Sequence, residues 1–310
     1  MALKKLLIVD DLHPAFKKEA VSLGYEVDDC PLITYREVLK TINQYDGLAI
    51  RTKFSCGQEL MDAGTNLKFI ARAGAGMDNI DEGYAAKKGI QCINAPEGNR
   101  DAVAEHAIGM LLSLMNNLRK ADIEVRNGIW DREGNRGHEL KGKTVGLIGY
   151  GHTGRSMARK LNGFEVDVIA YDKYKTDFTD AYAREVSMEQ IVRQADVLSF
   201  HIPLTRETRQ LVDDEYLFHF RKPIFLITTS RGGIIKTSSV LKAIQEGKVL
   251  AAAFDVLEVE RFPNLHSQEW FSQLIQSGKV LLSPHVAGWS FESYSKISEV
   301  LAEKLKNLQL

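Results

Sequence analysis

The stretch Lys143 to Arg155, KTVGLIGYGHTGR, restricts the fold of this chain more than any other. An apolar run rich in β-branched residues stops at Gly149, Gly151 and Gly154 in G-x-G-x-x-G spacing, and the helical SMARKL follows at once. In that setting the first glycine permits a tight turn, the second lets backbone approach a pyrophosphate, and the third lets helix and sheet pack closely. The amides at the start of the helix then point at an anion. A glycine turn also serves plain strand-to-helix connections, so the next strand decides. It ends on Asp172, 23 positions after Gly149, near the roughly 20-residue offset at which a carboxylate meets a ribose 2′-hydroxyl. Together they predict a dinucleotide. An acid at that place repels a 2′-phosphate, so NAD is expected over NADP, with Lys173 and Lys175 able to soften the repulsion.

The remainder of the chain repeats the same grammar. Short apolar runs alternate with longer amphipathic stretches, the pattern of an α/β chain with parallel sheets. LLIV (6–9), YEV (25–27), LAI (48–50), FIARA (69–73) and QCIN (91–94) predict a first sheet of five strands. TVGLIG, VDVIAYD, VLSFHI, IFLITTS, LAAAFDV and VLLSPHV, between 144 and 286, predict a second of six. A helical pattern over Asp101 to Lys120 joins them, and Ser290 to Leu310 predicts a closing helix free to pack back on the first domain. At 310 residues the chain is about twice a typical domain of roughly 150, which suits two domains.

Composition removes several functional classes. Forty Lys plus Arg against forty-one Asp plus Glu leave no basic surplus for a nucleic-acid backbone. No apolar run approaches the ~20 residues of a bilayer span, and MALKKLLIVDD turns acidic where a leader would be cleaved. Neither nucleic acid nor membrane is therefore expected as a partner, and the expected location is cytoplasmic. Cys30, Cys56 and Cys92 form no C-x-x-C pair and the eight histidines no H-E-x-x-H, so reduced, buried thiols and no metal site are expected.

Three polar residues sit at the carboxyl ends of the later strands, where open parallel sheets bind ligands: Arg231 in TTSRGG, Glu260 in FDVLEVE and His285 in SPHVAG. Taken singly, each is an ordinary strand-end residue. Their joint placement belongs to a longer pattern: RAGAGMDNID (72–81), NAPEGNRDAVAEHAIG (94–109), the glycine turn, HIPLTRET (201–208), SRGGII (230–235), AAFDVLEVE (252–260) and LLSPHVAG (281–288). Over nearly its whole length the chain resembles the NAD-dependent D-2-hydroxyacid dehydrogenases, and among them the phosphoglycerate dehydrogenases.

That resemblance implies two doubly wound parallel-sheet domains with a cleft between them. One is a smaller flavodoxin-like substrate domain, residues 1–98 plus 289–310; the other is a Rossmann NAD-binding domain, residues 99–288. It implies Arg231, Glu260 and His285 as the catalytic set. Removing hydride from an alcohol carbon also requires the hydroxyl proton to leave, and an imidazole with an ordinary pKa near 6.5 accepts it at neutral pH. A carboxylate at Glu260 fixes the tautomer, while a guanidinium at Arg231 forks onto the substrate carboxylate and polarises the C2 carbonyl. By the same resemblance His152 and Thr153 offer pyrophosphate amides, and His201, Ile202 and Pro203 border the adenine. Asp255, the carbonyl of Thr229 and Gly288 lie by the nicotinamide. Gly74, Ala75 and Gly76 offer amides to the substrate carboxylate, and Arg51, Thr52, Arg72 and Asn99 face the far end of a phosphoglycerate.

The implied reaction is the oxidation of D-3-phosphoglycerate to 3-phosphohydroxypyruvate, the entry to serine biosynthesis. Glyoxylate, hydroxypyruvate or another small 2-oxo acid is the competing substrate, and an NAD(H)-sensing corepressor of the same architecture is the competing class. The pattern departs from the family at Thr228, where Asn is common, at Arg261, where Pro follows the glutamate, and at Ala287 and Trp289, where smaller residues are common. Arg261 is a possible competitor for Glu260. The resemblance further implies a homodimer built on Asn127 to Leu140, and no C-terminal regulatory domain.

Overall fold

The computed structural model describes residues 4–308. The chain divides into two compact units, Met1–Arg100 with Trp289–Leu310, and Asp101–Gly288. The division falls two residues beyond the 98/99 boundary expected from the sequence.

In the first unit β1 (Lys4–Ile8), β2 (Tyr25–Asp29), β3 (Gly47–Ile50), β4 (Phe69–Arg72) and β5 (Gln91–Asn94) form a fully parallel sheet in the order β2-β1-β3-β4-β5. This is the flavodoxin-type doubly wound order. Consecutive strand residues point to opposite faces. Leu7, Leu48, Ile50 and Ile70 therefore pack with Val38, Leu60 and Ala85 of α2 (Tyr35–Thr41), α3 (Gln58–Ala63) and α4 (Glu82–Lys87). Leu6, Ile8, Ala49 and Phe69 face the other way, onto Phe16 and Ala20 of α1 (Pro14–Ser22) and Ile297 and Leu301 of the closing helix.

The second unit carries seven parallel strands, β6 (Thr144–Ile148), β7 (Asp167–Tyr171), β8 (Arg184–Glu185), β9 (Val197–Phe200), β10 (Ile224–Thr228), β11 (Val249–Phe254) and β12 (Val280–Leu282), in the order β12-β11-β10-β9-β6-β7-β8. Numbered from its own first strand, this is the Rossmann order with one strand added. Strands buried on both faces read as unbroken apolar runs, as β9 and β10 do here. Sequence reading gives six strands and misses β8, whose two charged residues carry no apolar signal.

Helices differ from expectation at their ends. Instead of one helix over 101–120, α5 runs Pro96–Met115 and α6 runs Leu118–Arg126. The break is at Asn117, in the left-handed region with φ 52°, which Asn tolerates better than most residues. The other helices are α7 (His152–Leu161), α8 (Met188–Gln194), α9 (Asp214–Phe218), α10 (Thr237–Gln245), α11 (Phe271–Gln276) and α12 (Phe291–Lys306). Ser290 starts α12 with a capping box to Ser293, and α12 lies along α1.

Candidate active site

The order of the larger sheet reverses between β6 and β9, and the glycine turn lies at that switch point, where doubly wound sheets bind nucleotides. Gly149 follows β6 at φ +94°, and a Cβ there would stand 2.6 Å from the carbonyl oxygen of His201 and 2.8 Å from Ile202 Cγ2. At Gly154 a Cβ would stand 2.3 Å from the Gly149 carbonyl oxygen, so both positions require glycine. Gly151 caps α7 with no side chain, and a Cβ on it would meet nothing. No side-chain hydrogen bond from the N-cap residue caps the start of α7, where His152 and Thr153 lie. Asp172 ends β7 and accepts Tyr150 N–H at 2.9 Å and Tyr174 N–H at 3.0 Å, which fixes its carboxylate beside the turn. Lys173 pairs with Glu207, and Lys175 donates to the Tyr150 carbonyl at 2.8 Å. Thr229 Oγ1 is buried without a partner among the described residues. A bare helix start, a placed acid and an orphan hydroxyl fit a dinucleotide of the NAD type.

The His201 ring turns inward onto Ser199 Oγ at 3.0 Å and Met157 Sδ at 3.2 Å, and burial pushes its pKa down to about 4. Its carbonyl oxygen and Ile202 Cγ2 are what a Cβ on Gly149 would strike, so this segment lies against the glycine turn.

Arg231, Glu260 and His285 follow β10, β11 and β12, neighbours in the sheet, and the fold brings the three together. His285 Nδ1 lies 2.8 Å from Glu260 Oε2. A carboxylate only accepts, so Nδ1 holds the proton and Nε2 presents its lone pair. The hydrogen bond to Glu260 raises the His285 pKa; burial and the nearby Arg231 charge act against it. Arg231 Nη1 donates to its neighbour's carbonyl, Ser230 O, at 2.6 Å. Among the described residues Glu260 ion-pairs with His285, and Arg261, the feared competitor, makes no ion pair with it.

His285 itself has φ 56°, a left-handed conformation that costs a non-glycine residue roughly 1–2 kcal/mol. Asp255 explains how it is held. Its carbonyl accepts His285 N–H at 2.7 Å, and its carboxylate accepts Val286 N–H and Ala287 N–H, each at 2.9 Å. The loop therefore wraps an anion in successive amides, with His285 at its bend. Ser283 Oγ donates to Asp255 Oδ1 at 2.6 Å and so accepts from His106 Nε2, 3.0 Å away on α5. The Asp255 side chain is 1% exposed and supports the loop. His106 and Ser283 escape sequence reasoning, although Ser283 stands two residues before His285 and His106 lies inside one of the resembling blocks. Gly288 closes this unit just beyond the loop.

The remaining predicted residues lie in the first unit, at the carboxyl ends of its strands. Arg72 ends β4 in register with Ile50 of β3, which puts Arg51 and Arg72 on neighbouring strands. Arg72 packs over Gly74, where a Cβ would stand 1.7 Å from Nη1, and Gly74 has φ +143°. Asn94 Nδ2 donates to the Ala75 carbonyl at 2.7 Å and holds the Gly74–Gly76 loop to β5. The amides of Arg51, Thr52 and Lys53 all donate to Asp10 Oδ2, at 3.0, 2.7 and 2.9 Å. Thr52 thus gives its amide to the protein and not to a ligand. Asn99 Oδ1 is buried with no hydrogen-bond partner among the described residues. Cys56 is buried and Cys30 and Cys92 half-buried; all are free thiols.

Comparison with known proteins agrees with this architecture. Residues 108–287 match the family model for the D-isomer specific 2-hydroxyacid dehydrogenase, NAD binding domain. The hydroxypyruvate reductase of Thermotoga maritima is 34% identical over 269 residues, 87% of this chain and 86% of that protein. The D-3-phosphoglycerate dehydrogenase of Archaeoglobus fulgidus is 32% identical over 287 residues, 92% of this chain but 53% of that protein, so the chain spans about half its length. A solved glyoxylate reductase from Paecilomyes thermophila superposes with TM-score 0.88 at 25% identity, covering 99% of this chain and 95% of that one. The chain belongs to the D-isomer-specific 2-hydroxyacid dehydrogenases, with NAD as its cofactor.

Proposed function

We propose that this chain interconverts D-3-phosphoglycerate and 3-phosphohydroxypyruvate, with His285 as the group that moves the hydroxyl proton. The glycine turn, with Asp172, would hold NAD, which when bound would supply the hydride acceptor. The observation that carries the reading is the His285–Glu260 pair at 2.8 Å, which directs a lone pair at Nε2 outward. In oxidation Nε2 takes the C2 hydroxyl proton, and Glu260 stabilises the imidazolium that results. In reduction the same imidazolium returns the proton to the forming alkoxide. Arg231 holds the C1 carboxylate and draws charge onto the C2 oxygen. On the smaller unit, the amides of Gly74 to Gly76 are assigned to a substrate carboxylate, and Arg51 and Arg72 to a phosphate.

The test is a comparison of kcat/KM for D-3-phosphoglycerate and D-glycerate, and in reverse for 3-phosphohydroxypyruvate, hydroxypyruvate and glyoxylate. A preference of tenfold or more for the phosphorylated acids is expected; equal values sink the phosphate assignment. Reduction of hydroxypyruvate or glyoxylate is the second reading, favoured by the hydroxypyruvate reductase that aligns over 86% of its own length. A homodimer is part of the proposal. On and after α6, Ile123, Val125, Ile129 and Trp130 stand 45%, 52%, 51% and 79% exposed, an apolar surface suited to a second copy. Light scattering on dilute protein checks it, and a monomeric mass would remove it. Among the described residues no helix is long and apolar enough to cross a membrane.

A further inference from the structure

We propose that Trp289 is a positioning residue that selects substrates with a terminal phosphate, by holding the Arg51 guanidinium flat with its N–H edge open to the anion. The inference rests on the reading above that Arg51 meets the far end of the substrate. The Arg51 guanidinium carbon lies 3.6 Å from the centroid of the Trp289 ring, so one π face of the cation is covered. Two acids stand near it, yet both are engaged elsewhere. Asp10 Oδ2 collects the amides of Arg51, Thr52 and Lys53, and Asp11 Oδ1 accepts the Tyr294 hydroxyl at 2.9 Å. Among the described residues no acceptor takes a side-chain N–H of Arg51: its backbone amide goes to Asp10 and its carbonyl accepts from Asn79. A half-buried guanidinium with five donors and no acceptor is a receptor awaiting an anion.

Trp289 is fixed in turn. Tyr294 meets its ring edge-on at 5.4 Å and 72°, and His13 meets Tyr294 at 5.2 Å and 82°. A planar fork held by such a stack loses little freedom when phosphate binds, which is what makes preorganised arginine selective. With a small residue at 289, Arg51 would lose its platform and swing toward Asp10 and Asp11. An anion-tailed acid would then bind more weakly, whereas an acid with no tail depends less on the stack.

The experiment pairs kinetics with fluorescence. In Trp289→Ala the KM for D-3-phosphoglycerate should rise about tenfold relative to that for D-glycerate, with kcat moving less, and Trp289→Phe should recover part of the loss. Titrating NAD-free protein, which cannot turn over, with D-3-phosphoglycerate should change tryptophan emission in the wild type but not in Trp289→Phe, which keeps Trp130 and Trp270. Equal KM rises for both acids, or the same emission change in Trp289→Phe, would overturn the proposal. An emission change confined to the wild type without turnover of the phosphorylated acid supports the stack while overturning the substrate reading. Turnover with a KM ratio insensitive to Trp289→Ala overturns the stack and leaves that reading in place.

Discussion

The two sheets end in loops of the same kind but hold their charged groups by different physics. At the carboxyl ends of β11 and β12 the loop that carries His285 is fixed by hydrogen bonds to a buried carboxylate, since Asp255 gathers Ser283, Val286 and Ala287. At the carboxyl ends of β1, β3 and β4 the anchor is the half-buried Asp10, which takes four backbone amides, and the Arg51 cation is steadied by an aromatic ring. Hydrogen bonds to a buried charge fix position to fractions of an ångström, as proton transfer demands. A stack fixes the plane of a cation and leaves its donors free. On the proposed function, the larger unit serves the chemistry and the smaller the recognition.

Removing His285 breaks the first half of that contrast most severely. His285→Ala should lower kcat by roughly 10²- to 10⁴-fold, while NAD binding, measured by calorimetry, stays intact. Loss of cofactor affinity of the same size would mean that the side chain shapes the nucleotide site instead. Asp255→Asn comes next. It keeps the volume but turns an NH₂ toward an amide donor, which should cost about 2 kcal/mol in a denaturation curve and lower kcat about tenfold or more. A variant as stable and active as the wild type would show that the loop does not depend on this anion.

Glu260→Gln sharpens the contrast through pH. Glu260 is the main cause of the raised His285 pKa, so the variant's imidazole should lose its proton at lower pH. Reduction needs the imidazolium, and its rate falls as pH rises through that pKa; in Glu260→Gln the fall should come at lower pH. Oxidation needs the neutral ring, so its acid limb should move the same way. The sign for stability agrees: the pair's contribution is complete below the ordinary histidine pKa and disappears as pH rises through the elevated one. With the side chains 47% and 39% exposed, that contribution is small. Coincident pH profiles for variant and wild type would separate Glu260 from the proton.

What the sequence discloses about these two places follows from how far apart the partners lie. The strands are legible because sheets buried on both faces need unbroken apolar runs, and the glycine turn because two of its glycines would collide with backbone if replaced. Arg231, Glu260 and His285 are legible as polar residues ending successive strands. The His106–Ser283 contact joins residues 177 apart, and no local pattern marks it. Trp289 is visible only as a departure from a family habit; its contact with Arg51 depends on the return of the chain into the first unit after residue 288. Asp255 reads as one more strand-end acid, and only its burial reveals that it faces inward.

Asn94 gives the smallest effect and tests the recognition half by itself. Its Nδ2 donates to the Ala75 carbonyl at 2.7 Å, and the Gly74 carbonyl accepts Ala95 N–H at 2.8 Å, so two bonds hold the Gly74–Gly76 loop to β5. Asn94→Ala removes one and leaves the other. A neutral hydrogen bond of this type contributes about 1 kcal/mol, which corresponds to roughly a fivefold rise in KM. If that loop receives the substrate carboxylate, the rise should appear for every 2-hydroxy acid alike, tailed or not, because all share the C1 group, and kcat should move less. An effect restricted to phosphorylated acids would place the loop at the far end of the substrate, beside Arg51, and would join two functions that the proposal keeps apart on the smaller sheet.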